Sequence, residues 1–153
     1  MALPEKATGS GTKASISLDG QTYKNFASIT KLGPPSMSRG TVDVTDMNSY
    51  ENNSQMKEFL TDFIEAEEMS IEGFVKKTDD GRDMAETAFY SGEVVYIKIT
   101  LPPAIGKTMT VTGLMTSYRP IGDISTDAGI AFTMGLKPTA KPTLAATEAP
   151  TAQ

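Results

Sequence analysis

From Val94 to Leu101 the sequence alternates. Val95, Ile97, Ile99 and Leu101 form one apolar row, with Lys98 and Thr100 opposite. A period of two marks a strand with one packed face and one wet face. A helix would scatter the same side chains around its circumference. Pro102-Pro103 ends the run, because proline donates no ladder hydrogen bond.

The same period recurs along the chain. Ile16 and Leu18 alternate with Ser15, Ser17 and Asp19, and Asp19-Gly20 reads as a hairpin turn. A partner strand follows through Tyr23 and Phe26, or through Ile29. Val42 and Val44 alternate with Thr41, Asp43 and Thr45. Met69, Ile71, Gly73 and Val75 share one face, opposite Ser70, Glu72, Phe74 and Lys76. Thr108 to Tyr118 is a long β-rich run. Ile130, Phe132, Met134 and Leu136 give a closing strand.

Two segments carry a helical spacing instead. Met56, Phe59, Leu60, Phe63 and Ile64 form one stripe, with Asn53 or Ser54 as its cap. Met84, Ala85, Ala88 and Phe89 share a face within Asp83–Tyr90. Asp79 and Asp80 stand at its positive end and Gly92 at its stop. Many short strands with one or two short helices predict a mainly β chain, an antiparallel β-sandwich or barrel with flanking helix.

Residues 14–138 carry this pattern and form the predicted domain. Residues 1–13 are rich in Gly, Ser, Thr and Ala and read as a flexible arm. Residues 139–153 (TAKPTLAATEAPTAQ) hold one apolar residue larger than Ala. They bury too little to offset their ordering entropy and read as a disordered tail.

The chain has no cysteine and no histidine. Disulfides, Cys-ligated metals and Ser-His-Asp or Cys-His catalysis are therefore excluded. Net charge is −5, the opposite of the basic footprint of a protein that grips nucleic acid. No signal-peptide core stands at the N-terminus, and no run is long enough to span a membrane.

Apparent motifs dissolve on inspection. Gly106-Lys107-Thr108 resembles the end of a phosphate loop. The full pattern needs a glycine where Leu101 stands, and a strand follows where a helix is required. Thr78 to Asp83 lacks the calcium-loop pattern: counted from Asp79, Gly81 stands at position three and Tyr90 at position twelve. Glu65, Glu67 and Glu68 read as a solvated connection. No catalytic, cofactor or metal residues are assigned, and the chain is expected not to be an enzyme.

The order of features is informative. The TVDVTDMNS stretch (Thr41–Ser49), the IEGF strand (Ile71–Phe74) and the VTGLMTSYRPIGD segment (Val111–Asp123) follow one another between the N-terminal hairpin and the closing strand. This succession, over Ile16 to Leu136, resembles the major tail tube proteins of siphovirus-type bacteriophages. The family's closing glycine is replaced here by Lys137-Pro138.

The resemblance implies a β-sandwich with a flanking helix. It implies hexameric rings whose inner strands complete one inter-subunit β-barrel, and stacking of those rings into a hollow tube through which double-stranded DNA passes without specific binding. The implied partners are other copies of the chain, a tape-measure protein, and tail terminator and distal tail proteins. The implied location is the virion tail, with assembly in the host cytoplasm. In relatives the region of the Met56–Ile64 stripe is a loop or short strand, so that stripe stays open between these and helix. Thr41, Asp43 and Thr45 are candidates for the lumen, with plain exposure on an outer face as the alternative. Ser49, Tyr50, Glu51, Asn52 and Asn53 are candidates for inter-ring or inter-subunit contact. A monomeric binding or adhesion module, and the inner tube of a contractile tail or secretion system, remain competing readings.

Overall fold

The structure is a computed structural model and describes residues 8–47 and 55–147. Along the chain it runs β1 (Lys13–Ser17), β2 (Lys24–Asn25), β3 (Lys31–Gly33), β4 (Met37–Asp43), β5 (Phe59–Ala66) and β6 (Met69–Phe74). Then come helix α1 (Asp80–Ser91), β7 (Val94–Thr100), β8 (Lys107–Arg119), β9 (Ala131–Pro138) and β10 (Thr143–Ala146). Eight strands form one sheet in the order β2-β1-β7-β8-β9-β6-β3, with β10 added to β8. β4 and β5 form a separate two-stranded sheet. Every pairing is antiparallel.

The alternating rows become the core. In register, Ile16 faces Ile97 and Ile97 faces Val111, and all three are fully buried. On the other half of the sheet, Met69 faces Leu136 and Ile71 faces Met134, also buried. Cross-strand partners share a face, so each row completes the next. Both halves contribute to a single apolar cluster. Burying a side chain such as Ile97 or Phe132 contributes about 1.5–3 kcal/mol.

Helix α1 starts and stops where the sequence places its caps. Asp79 is extended and accepts the Arg82 N–H at 3.1 Å, and Gly92 closes the helix with φ +75° and donates to the Ala88 carbonyl. Ala85 and Ala88 are buried where the helix lies on β8, β1, β2 and β7. Gly81 is small by necessity: a Cβ there would stand 2.9 Å from the Asn25 backbone.

One open reading is decided and one expectation is corrected. The Met56–Ile64 stripe is not a helix: Phe59–Ala66 is strand β5, paired with β4. The cause is a register shift between Arg39 and Thr41, where β5 carries one extra residue opposite Gly40. That bulge breaks the period of two, and apolar residues on both faces then imitate a helical spacing. The disordered tail is corrected over Thr143–Ala146. These residues form β10 on the Lys107–Thr110 edge of β8, although all four are exposed. Ladder hydrogen bonds hold that strand where apolar burial does not. At the other end, Lys13 opens β1, and a Thr12 N–H bond to Gly9 O closes a turn just before it.

Candidate assembly surface

The two-stranded sheet interrupts an otherwise continuous hairpin. β3 leads through Pro34-Pro35-Ser36 into β4, and β5 leads through Glu67-Glu68 into β6. Within β4–β5, Met37 faces Ala66, Arg39 faces Ile64, Thr41 faces Thr61, Val42 faces Leu60 and Asp43 faces Phe59. Partners share a face. One face therefore carries Met37, Arg39, Thr41 and Asp43 with Phe59, Thr61 and Ile64. The other carries Val42 with Leu60.

Every residue of β4 is exposed, as is β5 apart from Ala66. Phe63 is 86% exposed and Leu60 60%. Such a run of exposed large apolar residues is the mark of a surface that meets another molecule. Among the described residues, the outer edges of both strands carry no strand partner. Unpaired edges are templates for pairing with a further strand.

The residues read as lumen candidates fall in this hairpin. Thr41 sits opposite Thr61. Asp43 Oδ1 accepts the Thr45 N–H at 2.9 Å, and Thr45 Oγ1 accepts the Glu58 N–H at 2.8 Å across the hairpin. The Thr45 hydroxyl and then its N–H hold the Asp43 carboxyl below its ordinary range. Asp43 and Thr45 are thus brought together just at the end of β4, and Thr41 stands two residues before Asp43 on that strand. Ser49, Tyr50, Glu51, Asn52 and Asn53 lie outside the described residues.

Sequence reading missed the groups at the base of the hairpin. Glu68 Oε1 accepts the Thr116 hydroxyl and, at 3.4 Å, the Ser117 hydroxyl. Lys137 Nζ donates to Ala66 O at 2.7 Å. Partners 71 residues apart leave no local signal to find.

A cleft of about 520 Å³ lies between Gly9–Thr12, Thr30–Leu32 and the end of β7. Gly106, at φ +66°, is the turn that feeds β8, and Thr78–Asp83 is the start of α1. No helix of the described residues is long and apolar enough to cross a membrane.

No family profile matches the chain, and no curated protein does. Solved structures do. A chain from the tail of an empty gene transfer agent particle, of C6 symmetry, matches at TM-score 0.69 and 19% identity, over 92% of this chain and all of its own. A chain of the anti-feeding prophage baseplate matches at TM-score 0.66 and 12% identity, over 97% of this chain and all of its own. The SPP1 tail tube matches at TM-score 0.64 and 13% identity, over 92% of this chain and 80% of its own. The fold is therefore one used in viral tails and related particles. More narrowly, it is shared with the SPP1 tail tube.

Proposed function

We propose that this chain is a non-enzymatic structural subunit of a tail tube, and that copies join as hexameric rings and stack into a hollow conduit for double-stranded DNA. The observation that carries this reading is the β4–β5 hairpin, exposed on both faces and, among the described residues, without a strand partner on either edge, within a fold shared with a tail tube.

In a ring, the free edge of β4 in one copy pairs with the free edge of β5 in the next. Such a head-to-tail contact uses different surfaces on the two copies and satisfies all edges only when the ring closes. Closed strands then make an inter-subunit β-barrel, with the rest of each eight-stranded sheet curled into a β-sandwich outside it. The C6 symmetry of the gene transfer agent tail supports six copies.

Strand alternation suggests which face lines the lumen. Counted back from buried Met69, Ala66 and Ile64 continue the exposed face of Ser70 and Glu72. Counted forward from Gly33, which faces Ser70, the same face holds Met37, Arg39, Thr41 and Asp43. Thr41, Asp43 and Thr45 are accordingly assigned to the lumen, and Val42, Leu60 and Phe63 to contact with the neighbouring copy. Arg39 joins Asp43 on that face, and Met37, Phe59 and Ile64 share it, so the lining mixes apolar groups with charges of both signs. It lacks the basic density that would hold DNA phosphates by counterion release.

Residues Ser49 to Asn53, which stand between β4 and β5 in the sequence, are assigned to contact between rings. The tape-measure protein, tail terminator and distal tail proteins complete the assembly in the virion tail, built in the host cytoplasm. A contractile particle's inner tube is the second reading, supported by a likeness to a chain from an extracellular contractile injection system. Electron microscopy of the concentrated purified protein tests the proposal: rings or tubes with a central channel are expected. A monomer at every concentration would sink it and favour a binding module.

A further inference from the structure

The hairpin meets the main sheet at two links, Pro34-Pro35-Ser36 and Glu67-Glu68, and neither link is strand. Pro34 and Pro35 have no N–H and cannot extend a ladder across the joint. On such links alone the hairpin would pivot about its base. Side chains from elsewhere in the fold cross the joint instead.

The two links are first tied to each other. Glu67 N–H donates to Ser36 O at 2.8 Å, and Ser36 Oγ donates to Glu67 Oε2 at 2.7 Å. The pair is then tied to the main sheet. From β9, Lys137 Nζ donates to Ala66 O at 2.7 Å, at the last residue of β5. From β8, the hydroxyls of Thr116 and Ser117 donate to Glu68 Oε1.

The sheet is shaped for this second contact. A register shift between Met115 and Ser117 gives β8 one extra residue, which brings two consecutive hydroxyls to Glu68. Gly135 lies beneath the carboxylate, where a Cβ would collide with Glu68 Oε1. Position 135 thus suits a glycine, because the carboxylate occupies the space of a side chain.

We propose that Lys137 and Glu68 are positioning residues which fix the angle of the β4–β5 hairpin on the main sheet before subunits meet. This rests on the tube reading, because a preset hairpin is useful where its edges must meet those of a neighbour. Ordering the hairpin in the free subunit removes that cost from the association step. Lys137 acts on the carbonyl of Ala66, at the very end of β5, and Glu68 lies beyond the hairpin.

The chain has no cysteine, so two can be introduced for spin labels. Thr61→Cys on the hairpin and Thr110→Cys on β8 report the angle as a distance distribution in dilute monomer. The parent is expected to give one narrow distribution. Lys137→Met combined with Glu68→Ala is expected to broaden it severalfold while leaving the melting temperature within about 3 °C. Lys137→Arg, which keeps the donor, is expected to restore the narrow distribution beside intact Glu68. The broadened variant should need roughly fivefold more protein to form tubes, the factor that one ordinary hydrogen bond supports. An equally narrow distribution in the double variant would overturn the proposal. So would broadening with unchanged assembly. The distance is read on monomers, so failure of the parent to form tubes would count against the tube reading and leave the clamp standing.

Discussion

Asp79 Oδ1 accepts the backbone N–H of Ala27, 52 residues earlier, at 3.1 Å. The same oxygen caps α1 through the Arg82 N–H. One buried atom therefore fastens the helix start to the strand link between β2 and β3. Asp79→Ala removes the cap and leaves the Ala27 N–H without its acceptor. The expected loss is about 3 kcal/mol, the sum of a cap and an unsatisfied buried donor. For a domain of this size that lowers the melting temperature by about 6–12 °C. Asp79→Asn keeps one oxygen and should lose less than half as much. Its amide nitrogen would occupy the place of Oδ2, which is buried and finds no partner among the described residues. Thermal melts of both variants decide the point; equal losses would show that the charge and not the acceptor matters.

The same contact marks what the sequence can and cannot disclose. The rows Val95-Ile97-Ile99 and Phe132-Met134-Leu136 are legible because alternation is local and burial follows it. Asp79 and Gly92 are legible as helix ends because capping is local too. The long-range use of Asp79 is not, since nothing near Ala27 announces its acceptor. β5 misled for a related reason: its bulge opposite Gly40 depends on the partner strand, and both faces of that strand are exposed. β10 was hidden because its pairing with β8 rests on backbone groups, which every sequence possesses. In the candidate site, the exposed row of Thr41, Asp43 and Thr45 was legible, whereas Lys137 and Glu68 were not.

Asp19 gives a pH test. Its Oδ1 accepts the N–H groups of Gln21 and Thr22, both at 2.8 Å, and the Ser17 hydroxyl. These bonds, the Gln21 N–H first, lower its pKa from 3.8 to about 2. The folded pKa lies below the unfolded value, so the contribution to stability is present above about pH 4. It is lost as pH falls through 2. Asp19→Asn should therefore flatten the stability curve between about pH 4 and pH 2. The group is exposed, so the change in slope will be small. Denaturant titrations across that window check it, and an unchanged slope would refute the assignment.

The hairpin separates assembly from folding. Leu60 and Phe63 are mostly exposed, and neither belongs to the buried cluster. Leu60→Ser with Phe63→Ser should change monomer stability by no more than about 0.5 kcal/mol per site, as for other surface positions. By contrast, Ile97→Ala in the fully buried row should cost about 2–5 kcal/mol. If the proposed ring contact is right, the ranking reverses in assembly. The serine variant loses rings and tubes at concentrations where Ile97→Ala, while folded, still forms them. Sedimentation of both variants, below their melting temperatures, measures this directly. A serine variant that assembles like the parent would place the subunit contact away from Leu60 and Phe63.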